Sequence, residues 1–287
     1  MKAAKIPFYL FFSGWVLLLL VPVAALIMWS FLPMEDYQFV FKLSLQAYDQ
    51  IVASGRDEVV WQTLRIAITI TVIELAVAIP FSIWLAKSVS SPVFRAIILT
   101  LLTIPFFISI ASRIMVFRPI LGRSGPINTL LMDLGLIQQP LDWLLFSDFA
   151  VHLGLLGPSF STMVLPIYLA MMLIDDELIA AARDLGAAPH KVFMDIILPL
   201  ALPGIVAGII FTFVPMLGET VVPKLLGGGN VNMLGTSLAS LIQVVNYPVA
   251  AALSVIVLIL IAALLGILRL LLARLPISAS IFSGIAR

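Results

Sequence analysis

DDELIAAARDLGAAPHKVFMDIILP, residues 175–199, is the stretch on which the architecture turns. Ile174, Leu178, Ala181, Ala182 and Leu185 recur at helical spacing, which gathers them on one face at about 100° per residue. Asp176, Glu177, Arg183 and Asp184 lie off that face. Acidic residues at the start favour the positive end of a helix, and Gly186 can take the left-handed conformation that ends one. Pro189 suits the first turn of a following helix, where its missing N–H would be unpaired anyway. The stretch predicts a short amphipathic helix, a glycine turn, and a second helix entering an apolar layer at Ile196. By periodicity alone it is either a surface helix of a polytopic protein or an interfacial helix resting on lipid headgroups.

Apolar sequence extends outward on both sides. The chain has 287 residues, 62% hydrophobic and only 11% charged. A soluble globule is about half apolar and a quarter charged, so the main solvent of this chain is lipid. A spanning helix needs about 20 apolar residues. Six stretches meet or approach that length: Pro7 to Leu32, Ile66 to Ala86, Ala96 to Ser112, Ala150 to Ile174, Ile196 to Leu217, and Pro248 to Leu268. The third is the shortest between charges. Loop backbone cannot face lipid, so each is expected to be helical. The fold class is therefore all-α, a polytopic membrane protein with six transmembrane helices and a cytoplasmic helix at about 176–190. We expect one transmembrane domain over 1–287, with a first helix at 7–32 and a five-helix core at about 61–275.

Orientation follows from cations in short loops. With the amino terminus inside, Lys2, Lys5, Lys87, Arg95, Arg183, Lys191, Arg269, Arg274 and Arg287 fall on the inner side. Lys42, Arg56, Arg65, Arg113, Arg118, Arg123 and Lys224 fall outside, in much longer segments. Cation density is roughly twofold higher inside, which places both termini in the cytoplasm. A formal net charge of +1 gives no footing for nucleic acid. With no cysteine and two histidines, His152 and His190, no catalytic residue and no metal site is expected.

Within the opening stretch, AAARDLGAAPHKVFMDIILP resembles the EAA loop of permeases of type I ATP-binding-cassette (ABC) importers. Ala181, Ala182, Gly186, Ile196, Leu198 and Pro199 match that pattern, and Ala180 stands where it has Glu. The resemblance implies a coupling helix seated on a cytoplasmic ATPase, with Leu178, Ala181, Ala182, Leu185, Gly186 and Pro189 as its contact residues. It also implies three kinds of partner: a second homologous permease, an ATPase dimer and an extracytoplasmic solute-binding protein docking near 34–60, 117–148 and 222–247. The setting would be the lipid of a bacterial inner membrane. No Gly-Lys-Ser/Thr phosphate loop occurs in the chain, since Gly227-Gly228-Gly229 lacks that ending. No cofactor is thus expected on this chain, and ATP and Mg belong to the partner ATPase. The resemblance thus implies a transport subunit and no enzyme by itself.

Segments from Phe213 through Glu219 to Lys224, from Asn246 onward, and from Leu134 to Leu141 are similar to polyamine permeases of the spermidine and putrescine type. Relatives carrying opines, amino-acid-like compounds, thiamine or ferric iron share parts of them. Glu74 lies within the second span, where an ionisable group costs at least about 2.5 kcal/mol unless it faces protein or water. It is read either as a pathway residue or as a partner in an interhelical hydrogen bond. Glu219 either attracts a cationic solute or caps a loop near Lys224. Arg113 is read as making a structural bond, because a fixed cation repels polyamines. Met216 and Phe107 join Glu74 and Glu219 as pathway candidates, with core or lipid-facing packing as the alternative. Pro203, Pro215, Gly204 and Gly208 predict a bent, tightly packed fifth span. The rival to an importer subunit is an ion-coupled secondary transporter using Glu74 and Glu219.

Overall fold

The computed structural model of the chain describes residues 5–273. Five helical stretches are long and apolar enough to cross a bilayer: Phe12–Trp29, Arg56–Ser88, Asp148–Met172, Pro189–Leu217 and Tyr247–Leu272. The third expected span, over Ala96 to Ser112, is a broken one rather than a single continuous helix. Helix α4 (Pro92–Phe107) ends, and Ile110–Asp133 leaves it at 96°. The cause is local. Pro105 has no N–H for the carbonyl four residues earlier and its ring crowds that turn, while Ile108 and Ser109 take extended ψ values of 129° and 137°. At 16 residues α4 is about 24 Å long, short of a hydrocarbon core of about 30 Å.

The chain divides into two compact units, one running to Val60 and including Ser237–Ala263, the other holding Trp61–Thr236 and the stretch from Leu264. In the first, α1 (Lys5–Trp29) is followed by a hairpin of β1 (Met34–Glu35) and β2 (Gln38–Phe39), then α2 (Gln46–Ala53). Asp36 and Tyr37 have φ of +46° and +62°, the left-handed pair that closes a two-residue hairpin. Trp29 stacks on Phe39 at 5.4 Å, and the Tyr48 hydroxyl donates to Ser30 Oγ at 3.0 Å.

The second unit carries the functional elements. Helix α3 (Arg56–Ile83), whose first residues belong to the other unit, passes into a π turn at Trp84–Ser88. After α5 (Ile110–Leu121) and α6 (Pro126–Asp133) comes α7 (Asp148–Met172). Next are α8 (Asp176–Asp184) and α9 (Pro189–Val192), then a π turn at Phe193–Ile197. That turn leads into α10 (Leu198–Leu217) and α11 (Val221–Leu226). Helices α12 (Leu234–Gln243) and α13 (Tyr247–Ala273) close the described chain, each shared between the two units.

The core sits between α7 and α10, where Met163, Ile167, Met171 and Ala201 are fully buried. Glycine makes that approach possible. A Cβ on Gly204 would stand 2.4 Å from Ala170 Cβ and 2.5 Å from Pro166 O; on Gly208 it would stand 2.9 Å from Met163 O. The tight packing expected of the Gly-x-x-x-Gly pair is therefore present as a backbone-to-backbone seam.

Candidate translocation cavity and coupling helix

Two helix interruptions and the middle of α7 converge on a cavity of about 410 Å³. The α4–α5 break contributes Phe106, Ile108, Ser109 and Arg113; α7 contributes Ser159 and Thr162 beside Pro158, which lies inside the helix; the end of α10 and its link to α11 contribute Thr212, Met216 and Glu219. Non-helical backbone at membrane depth is tolerated where it is buried in protein or lines a cavity, and the extended Ile108–Ser109 pair does the latter. Hydroxyls relieve some of the polarity. Thr162 and Thr212 share a hydrogen bond of 3.2 Å across α7 and α10.

The four pathway candidates separate. Met216 and Glu219 line the cavity. Glu74 stands one hydrogen bond behind it: the Ser159 hydroxyl, on the cavity wall, donates to Glu74 Oε1 at 2.7 Å, and Glu74 itself is 2% exposed. Its Oε2 is buried with no partner among the described residues. Phe107 lies outside the cavity at 88% exposure; the helix ends there, and it is Phe106 that reaches the lining. Glu74 therefore makes the interhelical hydrogen bond, and makes it to a residue of the cavity wall. Glu219 caps as well as lines, its Oε1 accepting from the N–H groups of Val221 and Val222 at 2.7 and 3.2 Å, which satisfies the first turn of α11. Arg113 differs from expectation: among the described residues its buried Nε has no hydrogen-bond partner and no ion pair joins it to Glu219.

The helix-turn-helix read from residues 175–199 is present in detail. Asp175 caps α8 by accepting from the Glu177 N–H at 3.0 Å. Gly186 has φ of +81°; its N–H reaches Arg183 O at 2.9 Å and that of Ala187 reaches Ala182 O at 3.0 Å, the paired closure of a left-handed helix end. Pro189 opens α9. The single apolar face needs correction. Ile179 and Ala182 pack inward with Ile174, Val192 and Ile197, whereas Leu178, Ala181 and Leu185 face outward, Leu185 at 89% exposure. At 100° per residue Ile179 lies roughly 120° around the helix from Leu185, so the apolar surface is two adjoining faces.

Sequence reasoning passed over Ser159, Thr162 and Thr212. Their signal was weak but legible: small hydroxyls in otherwise apolar spans, two of them three residues apart on one face of α7.

Residues 78–276 match the family described as the binding-protein-dependent transport system inner membrane component. The chain belongs to this family. It is thus a multi-pass inner-membrane permease subunit of an ABC importer that works with a binding protein, a transport component and no enzyme. Membership decides against the ion-coupled secondary transporter. The permease is 32% identical over 256 residues to the spermidine/putrescine transport system permease protein PotB of Haemophilus influenzae, with 88% of each chain covered. To PotB of Escherichia coli K12 it is 33% identical over 245 residues, 84% of this chain and 88% of that one. Among solved structures it resembles a chain of the bacterial alginate ABC transporter in complex with an alginate-bound periplasmic protein. That match has a TM-score of 0.69 and 16% identity, covering 93% and 91% of the two chains, a likeness of fold.

Proposed function

We propose that the permease imports a polyamine of the spermidine or putrescine type as half of a translocation pathway, beside a second homologous permease. The observation that carries this is its likeness to curated spermidine/putrescine permeases over 84–88% of its length. The chain forms one functional permease domain with both termini in the cytoplasm. The solute arrives on an extracytoplasmic binding protein that docks on the loops near 34–60, 117–148 and 222–247. The cavity at the α4–α5 break is this subunit's share of the path, with Met216 and Glu219 on its wall, Glu74 behind Ser159, and Phe106 in the place expected of Phe107.

Transport is powered from outside the chain. A cytoplasmic ATPase dimer holds ATP and Mg and seats the coupling helix in its groove. The outward residues Leu178, Ala181 and Leu185 supply the apolar contact, while Ala182, Gly186 and Pro189 shape the turn. Closure of the dimer on ATP moves α8, and α8 is packed through Ile179 and Ala182 on the core that also holds α7 and α10. The cavity thereby turns outward to take solute, and hydrolysis returns it inward.

The test is to purify the tagged permease with whatever assembles on it and measure ATP hydrolysis with candidate solutes and their binding protein. A second permease and an ATPase, stimulated by spermidine or putrescine, is the expected result. ATPase activity indifferent to polyamines would discard the solute, and a solitary transport-competent chain would discard the assembly. One observation favours a second solute class. Arg113 places a fixed cation with an unsatisfied N–H on the cavity wall, which suits the carboxylate of an opine or amino-acid-like compound. Stimulation by such a compound in the same assay would select it.

A further inference from the structure

The Lys87 side chain leaves the π turn at Trp84–Ser88 and ends between two other elements. Its Nζ donates to the carbonyl of Ile174 at 2.5 Å and to Asp176 Oδ1 at 2.7 Å. Ile174 lies just beyond the last turn of α7, where carbonyls lack helical partners, and Asp176 is the first residue of α8. One ammonium therefore joins the lower end of α3, the end of α7 and the start of the coupling helix. The geometry is asymmetric. The Lys87 side chain is only 13% exposed while that of Asp176 is 81% exposed, so the cation is held by the permease body and the carboxylate rides on the helix.

The element that carries Lys87 is not a regular helix end. A π turn has one residue too many for the α ladder and recurs where helices must adjust, and Leu85 and Ala86 bury this one in the core. Above it on α3 stands Glu74, bonded to Ser159 of the cavity wall. A continuous set of contacts thus runs from α8 through Lys87 and α3 to the cavity, separate from the apolar packing of Ile179 and Ala182.

We propose that Lys87 is a positioning residue that transmits movement of the coupling helix into α3, so that its charge sets how much transport each hydrolysed ATP yields. This rests on the ATP-driven reading above. Packing by itself would make Lys87 a stabilising residue only. The distinction is that a stabilising loss lowers ATP hydrolysis and uptake together, whereas loss of the strut lowers their ratio.

The experiment reconstitutes the complete transporter in liposomes with its binding protein and measures solute uptake per ATP hydrolysed. Lys87→Met keeps the aliphatic stem and removes the charge; it should assemble, hydrolyse ATP, and show uptake per ATP lowered about fivefold or more. Lys87→Arg, which retains the charge and the carbonyl bond, should restore most of the ratio. Asp176→Asn should have a smaller effect, because the Ile174 carbonyl bond survives and an exposed ion pair contributes little. An unchanged ratio in Lys87→Met overturns the proposal, as does an equal fall in both activities. If Lys87→Met does not insert stably, Lys87→Gln, which also removes the charge but keeps a polar head, decides, a lowered ratio supporting the strut and an unchanged one overturning it. The wild-type assembly is measured alongside. Uptake there without ATP hydrolysis would remove the ATP-driven reading itself, and with it the strut.

Discussion

The seam between α7 and α10 and the cavity wall formed by the α4–α5 break, α7, α10 and its link to α11 share two helices, yet they are built in opposite ways. Along the seam, glycine lets backbone meet backbone, and Met163, Ile167 and Met171 leave no exposed surface. At the cavity, proline and extended residues end helices early, and the space left holds hydroxyls, Arg113 and a carboxylate. The seam can transmit a displacement because close-packed atoms cannot yield independently. The cavity stays open because two of its walls come from helix ends, which leave space that continuous helices would fill.

The seam should break hardest. Gly204→Leu places atoms where Ala170 and Pro166 already stand, and overpacking of this kind costs about 1–3 kcal/mol or more. The expected result is loss of a monodisperse complex in detergent, followed by size-exclusion fluorescence; normal melting would mean that α7 and α10 can part freely. Next is Gly186→Trp. A side chain at φ of +81° costs about 1–2 kcal/mol in backbone strain and reshapes the turn on which α8 depends. Uptake should be lost in a stably inserted variant while ATP hydrolysis persists, and normal uptake would contradict a coupling role for that turn.

Effects at the cavity should be smaller and more selective. Glu74→Gln keeps an acceptor for the Ser159 hydroxyl, whereas Glu74→Ala removes it, a loss of about 1–3 kcal/mol where the orphaned group is buried. Apparent KM for uptake should thus move more in Glu74→Ala, and equal values in the two variants would sever Glu74 from the cavity. The smallest contrast sharpens the boundary of the site. Phe106→Ala should change solute KM by about threefold or more, while Phe107→Ala should leave it within about twofold. Reversed outcomes would place the path on the opposite side of α4.

The opening stretch was legible because its signals are local. Asp175 caps, Gly186 turns and Pro189 restarts within one short stretch, and each rule concerns the residue and its near neighbours. The Gly204/Gly208 pair was legible for the same reason, as a pattern along one helix. The break in the third span was not legible because apolar length says nothing of direction, and the run around Pro105 is as apolar as an unbroken helix. Phe106 and Phe107 are alike in composition and adjacent in sequence; only the end of α4 sends one inward and the other out. The two faces of α8 escaped periodicity because a stripe more than 100° wide does not say which half meets the body and which half waits for a partner.

By itself the sequence determined the solvent, the membrane-crossing helices apart from the broken third, and the helix-turn-helix of residues 175–199, since transfer of apolar residues into lipid and backbone rules act locally. The tertiary structure alone decided that two interruptions and the middle of α7 meet at one cavity, that Glu74 reaches it through Ser159, and that Lys87 finds both Ile174 and Asp176. Those pairs are separated by 85, 87 and 89 residues. Contacts at such separation follow from how helices pack, and no local property of either residue encodes its partner.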